Sequence, residues 1–195
     1  DTMVIKQDIA NRLQGPSADH WFGTDEFGRD IFARILHGSR VSLIVGIISV
    51  SIALILGGAF GAFAGFYGGK VDMVIMRVMD VFLAVPSILL SMTIVAALGT
   101  DLVYVMLAIG ISSVPNYARI VRAAVMSVKD QEFVEASKAM GASNATIIFK
   151  EILPNCLAPI IVQATLSVAG AILSTASLSF IGLGVQPPDP EWGAM

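Results

Sequence analysis

The chain has 195 residues, of which 55% are hydrophobic and 14% charged, against roughly 45–50% and 25% in an average soluble domain. So much apolar side chain excludes a disordered segment, and a mean hydropathy of +0.79 makes lipid the expected solvent. A net charge of −3 lacks the basic footprint of a nucleic-acid binder.

Cys156 is the sole cysteine, so no internal disulfide forms. With His20 and His37 it makes too small a ligand set for a metal site. The chain opens at Asp1 and closes at Met195, and reads as a piece of a longer membrane protein.

Residues 1–40 are mixed and polar. Thr24 or Asp25 can cap a short helix towards Leu36, with Gly38 ending it. Phe27, Ile31 and Ile35, with Phe32 and Leu36, fall at helical spacing on one side. Such a helix lies on the membrane surface or packs in a small extracytoplasmic cap, and the residues do not separate the two.

The membrane core is expected over 41–195, in an all-α, polytopic arrangement. Residues 41–69 carry no charge over 29 positions, and a spanning helix needs about 20. Their 14 Val, Ile, Leu and Phe residues favour insertion by about 4–8 kcal/mol. Gly57, Gly61, Gly65 and Gly69 recur every fourth residue, a stripe that lets a second helix approach closely in lipid.

A second span is expected over 81–100, kinked at Pro86 because proline lacks the N–H and crowds the preceding turn. The third, 102–121, has a short apolar stretch with Pro115 and Asn116, extended by Arg119 and Arg122 snorkelling to the headgroups. The stretch from Ile152 to Pro188 is charge-free over 37 residues. As one helix it would reach about 55 Å, so it must break. The fourth span is placed at 153–181, with a tail over 182–195. Four spans put both ends on one side. Lys70, Arg77, Arg119, Arg122, Lys129, Lys138 and Lys150 fall on the other, giving a slight positive-inside preference for a cytoplasmic loop at 122–152.

Within that loop Ser127 or Asp130 can cap a first helix. Gly141 can end it in the left-handed conformation, and Ser143 can cap a second helix running towards Pro154. On composition alone this is a charged helix–turn–helix connector.

Its residues say more. Glu135-Ala136-Ser137, then Gly141, then Leu153-Pro154 resembles the EAA motif of ABC-type importer permeases. Ser137 departs from the usual alanine, and Glu151 from an often apolar position. His20 to Asp25 with Gly28-Arg29-Asp30, Gly68-Gly69 with Asp72, and Ser179 to Pro188 with Glu191-Trp192-Gly193 resemble the dipeptide/oligopeptide/nickel permeases of that class. The likeness covers residues 20–195 and is nearest the second permease subunit of a dipeptide or oligopeptide importer.

The resemblance implies a type I ABC importer transmembrane domain, lacking here the first and last of six spans. It implies a bacterial or archaeal cytoplasmic membrane. The expected partners are a second homologous permease, two cytoplasmic ATPase subunits and an extracytoplasmic peptide-binding protein. ATP and magnesium are expected on the ATPase chains, with no cofactor in this one. By the same resemblance the helix around Glu135, Ala136, Ser137, Ala139 and Gly141 is expected to dock on an ATPase, with Leu153 and Pro154 part of the same coupling loop. Ala136 and Ala139 keep its face small, and Glu135 accepts hydrogen bonds from the partner or from its own turn.

Other chemistry is weak. The run from Ala64 to Val71 imitates a phosphate loop but has Ala64 where glycine and Val71 where serine or threonine is needed. Met73, Met76 and Met79 at helical spacing suit adaptable packing better than a soft-metal path. A nickel or other small-solute permease is the alternative within the family. A passive channel or membrane scaffold is the alternative outside it.

Overall fold

The computed structural model describes residue 4, residues 6–184 and residues 190–193. After a 3₁₀ turn at Ile9–Asn11 come α1 (Ile31–Tyr67), α2 (Gly69–Leu83), α3 (Ser87–Leu98), α4 (Leu102–Val128) and α5 (Glu132–Ala139). Then follow α6 (Asn144–Thr146), a π-helical stretch at Ile147–Ile152, α7 (Leu153–Asn155) and α8 (Leu157–Phe180).

The first helix starts later than the sequence suggests and does not stop at Gly38. Thr24 and Asp25 are spent on a turn. The Thr24 hydroxyl donates to the Asn11 carbonyl, and the Asp25 carboxylate accepts from the Phe27 and Arg29 amides and the Arg29 side chain. Asp30 caps instead, accepting from the Ala33 amide at 2.8 Å. Nothing halts the helix at Gly38, which is buried, so the expected surface helix and first span are one 37-residue rod, about 55 Å long.

The span expected over 81–100 is also corrected. The chain breaks at Pro86, and residues 69–83 form a helix of their own, bent 82° from α3. Val85 is disfavoured from helix before proline, and Pro86, as the cap of α3, needs no N–H. α1 and α8 are each long and apolar enough to cross a membrane, and α2 with α3 qualifies as a bent pair. α4 is long enough at 27 residues but less apolar, because Ser112, Ser113, Asn116, Arg119 and Arg122 dilute it. Its place comes from packing: it is the central helix, with α1, α2, α3 and α8 around it.

α1 and α4 run parallel. The Ser49 hydroxyl meets the Met106 carbonyl at 3.1 Å, Gly57 faces Val114, Gly61 faces Ala118 and Gly65 faces Arg122. α8 runs antiparallel to α1: Gly46 meets Val168 and Ile172, while Ala62 lies in one cluster with Ile160. α3 joins α4 through a buried hydroxyl pair, Ser91 with Ser112, at 2.9 Å.

Candidate functional site

The loop singled out by sequence sits at the far end of α4. Ser127 and Asp130 do not cap it. Ser127 is still inside α4 and donates back to the Ala124 carbonyl at 2.7 Å. Gln131 is the capping residue, without a side-chain cap bond.

α5 then closes on a complete Schellman turn. The Ala142 amide reaches the Ser137 carbonyl at 3.1 Å and the Gly141 amide reaches the Lys138 carbonyl at 3.0 Å, with Gly141 at φ +81. This satisfies carbonyls the helix end would otherwise leave unpaired. Ala142 packs against the apolar cluster beneath. Ser143 caps the next helix through its hydroxyl, which accepts from the Thr146 amide.

One cluster roots this loop. Val134 of α5 joins Val121, Val125 and Val128 of α4 with Ile147, Ile148 and Ile152 of the π-helical stretch. Val134 and Ile152 are fully buried. Ser137 is buried on the same side as Val134, whereas Glu135, Ala136 and Ala139 face outward. Phe133 and Met140 flank them, Met140 being 82% exposed. The motif thus divides into an outward face (Glu135, Ala136, Ala139), a buried residue (Ser137) and a turn (Gly141).

Leu153 packs against the same cluster from behind, and Pro154 is exposed on α7. The Leu153 amide bonds to the Ile148 carbonyl, five residues back. A proline ring clashes with the carbonyl four residues before it, here Lys150, and the wider π turn falls just where that crowding arises.

The glycine stripe is divided too. A Cβ on Gly57 would fall 2.5 Å from the Val114 carbonyl oxygen, on Gly61 2.4 Å from that of Ala118, and on Gly65 2.9 Å from that of Arg122. Gly69 has open space around it and takes no part. With Gly68 it forms the α1–α2 elbow, both at positive φ. Gly110 of α4 answers the stripe from the other side, closing on Ile52 and the Ser49 carbonyl. A lone glycine between apolar residues offered no spacing by which to find it.

Sequence reasoning also missed the ion pairs between α2 and α4. The Asp72 carboxylate takes both Nε and Nη2 of Arg122, and Asp80 pairs with Arg119 at 2.7 Å. Met79 packs beside them against Val114 and Ala118.

At the other end of the molecule, Asp25, Arg29, Arg34 and Trp192 line a cavity of about 560 Å³. Its two guanidinium groups are committed to Asp25. Trp192 belongs to the segment Glu191-Trp192-Gly193, which folds back on α1. The buried Glu191 accepts from the Ser42 hydroxyl, and the Trp192 ring N–H donates to the Ile35 carbonyl. Residues 185–189 of the same sequence motif lie outside the described residues.

Three comparisons bear on this arrangement. Residues 57–195 match the family described as "Binding-protein-dependent transport system inner membrane component". A dipeptide transport system permease protein of Alkalihalophilus pseudofirmus is 57% identical over 95% of this chain and 61% of its own length. A di/tripeptide transport system permease protein of Pseudomonas aeruginosa is 51% identical over 94% of this chain and 60% of its own. The chain therefore spans about three fifths of the length of these relatives. The fold matches a solved structure of the MetNI methionine ABC transporter in an inward-facing conformation, with a TM-score of 0.69 at 20% identity, over 79% of this chain and 77% of that one.

Proposed function

The chain belongs to the binding-protein-dependent transport system inner membrane components, and on that premise we propose that it is one permease subunit of an ATP-driven ABC importer of dipeptides or oligopeptides. The observation that carries the reading is the rooted loop: Glu135, Ala136 and Ala139 held outward on a short helix whose other face is locked to α4 through Val134 and Ser137. A transmitted movement needs a part that is exposed, stiff and fixed to a spanning helix, since slack would absorb the displacement. The peptide substrate is supported by the two relatives named for dipeptides and for di- and tripeptides.

In this reading α5 docks on a cytoplasmic ATPase subunit, one of two that carry ATP and magnesium. A homologous permease completes the membrane pathway, and an extracytoplasmic binding protein delivers the peptide. The loop end of α4 faces the cytoplasm and the Asp30 end of α1 faces outward, in a bacterial or archaeal inner membrane. This chain contributes positioning and motion, with no hydrolytic step of its own.

Deletion of the gene tests the substrate. Loss of labelled-dipeptide uptake with nickel uptake intact is expected. Loss of nickel uptake alone would keep the transport mechanism and replace the substrate, and loss of neither would remove both substrates. Failure of any ATPase to co-purify with the intact chain would favour a passive channel or scaffold.

A further inference from the structure

We propose that the Asp72–Arg122 ion pair is a positioning strut that makes α2 move with the loop end of α4. The proposal deepens the permease reading and rests on it.

α2 is a short rod with a pliable joint at each end. At one end, Gly68 and Gly69 both hold positive φ and neither has side-chain bulk to stiffen the elbow. At the other, the chain breaks before α3 and turns through 82°. α2 packs against α1 across the elbow and against α4, and the α4 contact is the one that joins it to the loop end of the bundle. That contact joins Asp72 to Arg122, with Lys129 close by, packs Ile75, Met76 and Met79 around Val114 and Ala118, and pairs Asp80 with Arg119.

The two ionic rungs are not equivalent. Asp80 and Arg119 are about half exposed, at 48% and 55%, and exposed pairs fix little because water and salt compete for both partners. Asp72 and Arg122 are 18% and 31% exposed. Their contact uses two guanidinium nitrogens and both carboxylate oxygens, so it fixes direction as well as distance.

Its position gives it leverage. Arg122 lies on the last two turns of α4, level with Gly65, and α4 continues directly to the cluster that roots α5. A pull on α5 reaches Arg122 through Val125 and Val128. It then passes through the strut to the first turn of α2, rotating that rod about the glycine elbow. The expected result is a change in the angle between α2 and α3, with the near half of α3 held to α4 by the Ser91–Ser112 pair.

The test uses the full-length chain in its assembled transporter, reconstituted in lipid vesicles, with labelled-dipeptide uptake and ATP hydrolysis measured together. Asp72→Asn keeps the size of the side chain and removes its charge. It should lower uptake per ATP at least tenfold while the assembled complex still forms. Asp72→Arg combined with Arg122→Asp should recover at least half of the ratio, and Asp80→Asn should change it less than twofold. A wild-type ratio in Asp72→Asn, a parallel loss of uptake and hydrolysis at unchanged ratio, or a charge exchange no better than the single variant would each overturn the strut. Should the wild-type assembly show no ATP-driven uptake of any peptide, the permease reading fails separately. The strut is then judged by hydrogen exchange of the α2 amides: faster exchange in Asp72→Asn supports it, and wild-type rates overturn it.

Discussion

Gly61 of α1 lies so close to Ala118 of α4 that a Cβ placed on the glycine would stand 2.4 Å from the alanine carbonyl oxygen and 2.9 Å from the Val121 Cβ. The neighbouring obstacle is backbone, which cannot swing away. Gly61→Val should therefore push the two parallel helices apart, at a cost of about 1–3 kcal/mol for overpacking. Gly58 sits one turn earlier with nothing within 4 Å. Gly58→Ala should be neutral or stabilising by up to about 1 kcal/mol through helix propensity. Thermal unfolding in detergent separates the two, and equal melting of both variants would remove the seam as a determinant of stability.

Much of this fold is legible one segment at a time. The apolar run after residue 40, the break at Pro86 and the left-handed residue at Gly141 each follow from local chemistry that distant residues do not override. The start of α1 is not legible in that way. Thr24, Asp25 and Asp30 are all competent caps, and the choice falls to Asp30 because Asn11, Phe27 and Arg29 occupy the other two. Gly69 shares the spacing of Gly57, Gly61 and Gly65, yet the helix has ended before it, so periodicity alone overextends the seam. Asp72 with Arg122 and Ser42 with Glu191 are separated by 50 and 149 residues. No short-range pattern records such pairs, and the first is brought together by the packing of α2 on α4.

At Gly141 the backbone demand can be isolated from crowding. Its φ is +81 and a Cβ there would meet nothing within 4 Å. The cost of Gly141→Val is then conformational, about 1–2 kcal/mol for a side chain in the left-handed region, and most severe for a β-branched one. Because α5 ends on this residue, its outward face should lose its fixed angle. Weaker ATPase co-purification and lower transport are expected, with Gly141→Asn retaining more of both, since asparagine tolerates this region. Undiminished co-purification and transport in Gly141→Val would count against a docking role.

Glu135 is exposed, and its carboxylate accepts no hydrogen bond from another described residue. Its replacement should leave unfolding within about 0.5 kcal/mol of wild type, as for other surface positions. Any functional loss then reports on a partner. Glu135→Lys reverses the charge on the outward face and should separate ATP hydrolysis from uptake. Normal uptake per ATP in that variant would take Glu135 out of the mechanism.

The cap at Asp30 makes the start of α1 acid-sensitive. Burial alone would raise the Asp30 carboxyl, but the Ala33 amide and the His20 ring outweigh it and hold the group below the usual carboxylate range. A carboxylate depressed in the folded state stabilises fully above its unfolded value, near 3.9. That stabilisation disappears as pH falls through about 4 and below. Hydrogen exchange at the Ala33 and Arg34 amides should accelerate, beyond its intrinsic pH dependence, between pH 5 and about 3. Asp30→Asn keeps a capping oxygen and should lose that acid sensitivity, whereas Asp30→Ala should cost about 1 kcal/mol at neutral pH. An acid response in Asp30→Asn equal to that of wild type would assign it to another carboxylate.

Glu191 is wholly buried and is the acceptor on which the Pro190–Gly193 segment closes. It takes the Ser42 hydroxyl at 3.3 Å and the Gly193 amide at 2.9 Å. Gly193 in turn lies against Ala176 of α8, where a Cβ would come within 2.1 Å of the Ala176 Cα. The segment thus ties the N-terminal part of α1 to the last turns of α8. Glu191→Ala strands buried donors and should cost about 1–3 kcal/mol. Glu191→Gln keeps the size and one acceptor oxygen, so it should lose less than half of that. Because Trp192 bonds to the Ile35 carbonyl, release of the segment should also shift its fluorescence to longer wavelength, read in a Trp21→Phe background. An alanine variant that melts and fluoresces like its parent would show that the segment holds to α1 and α8 without its buried carboxylate.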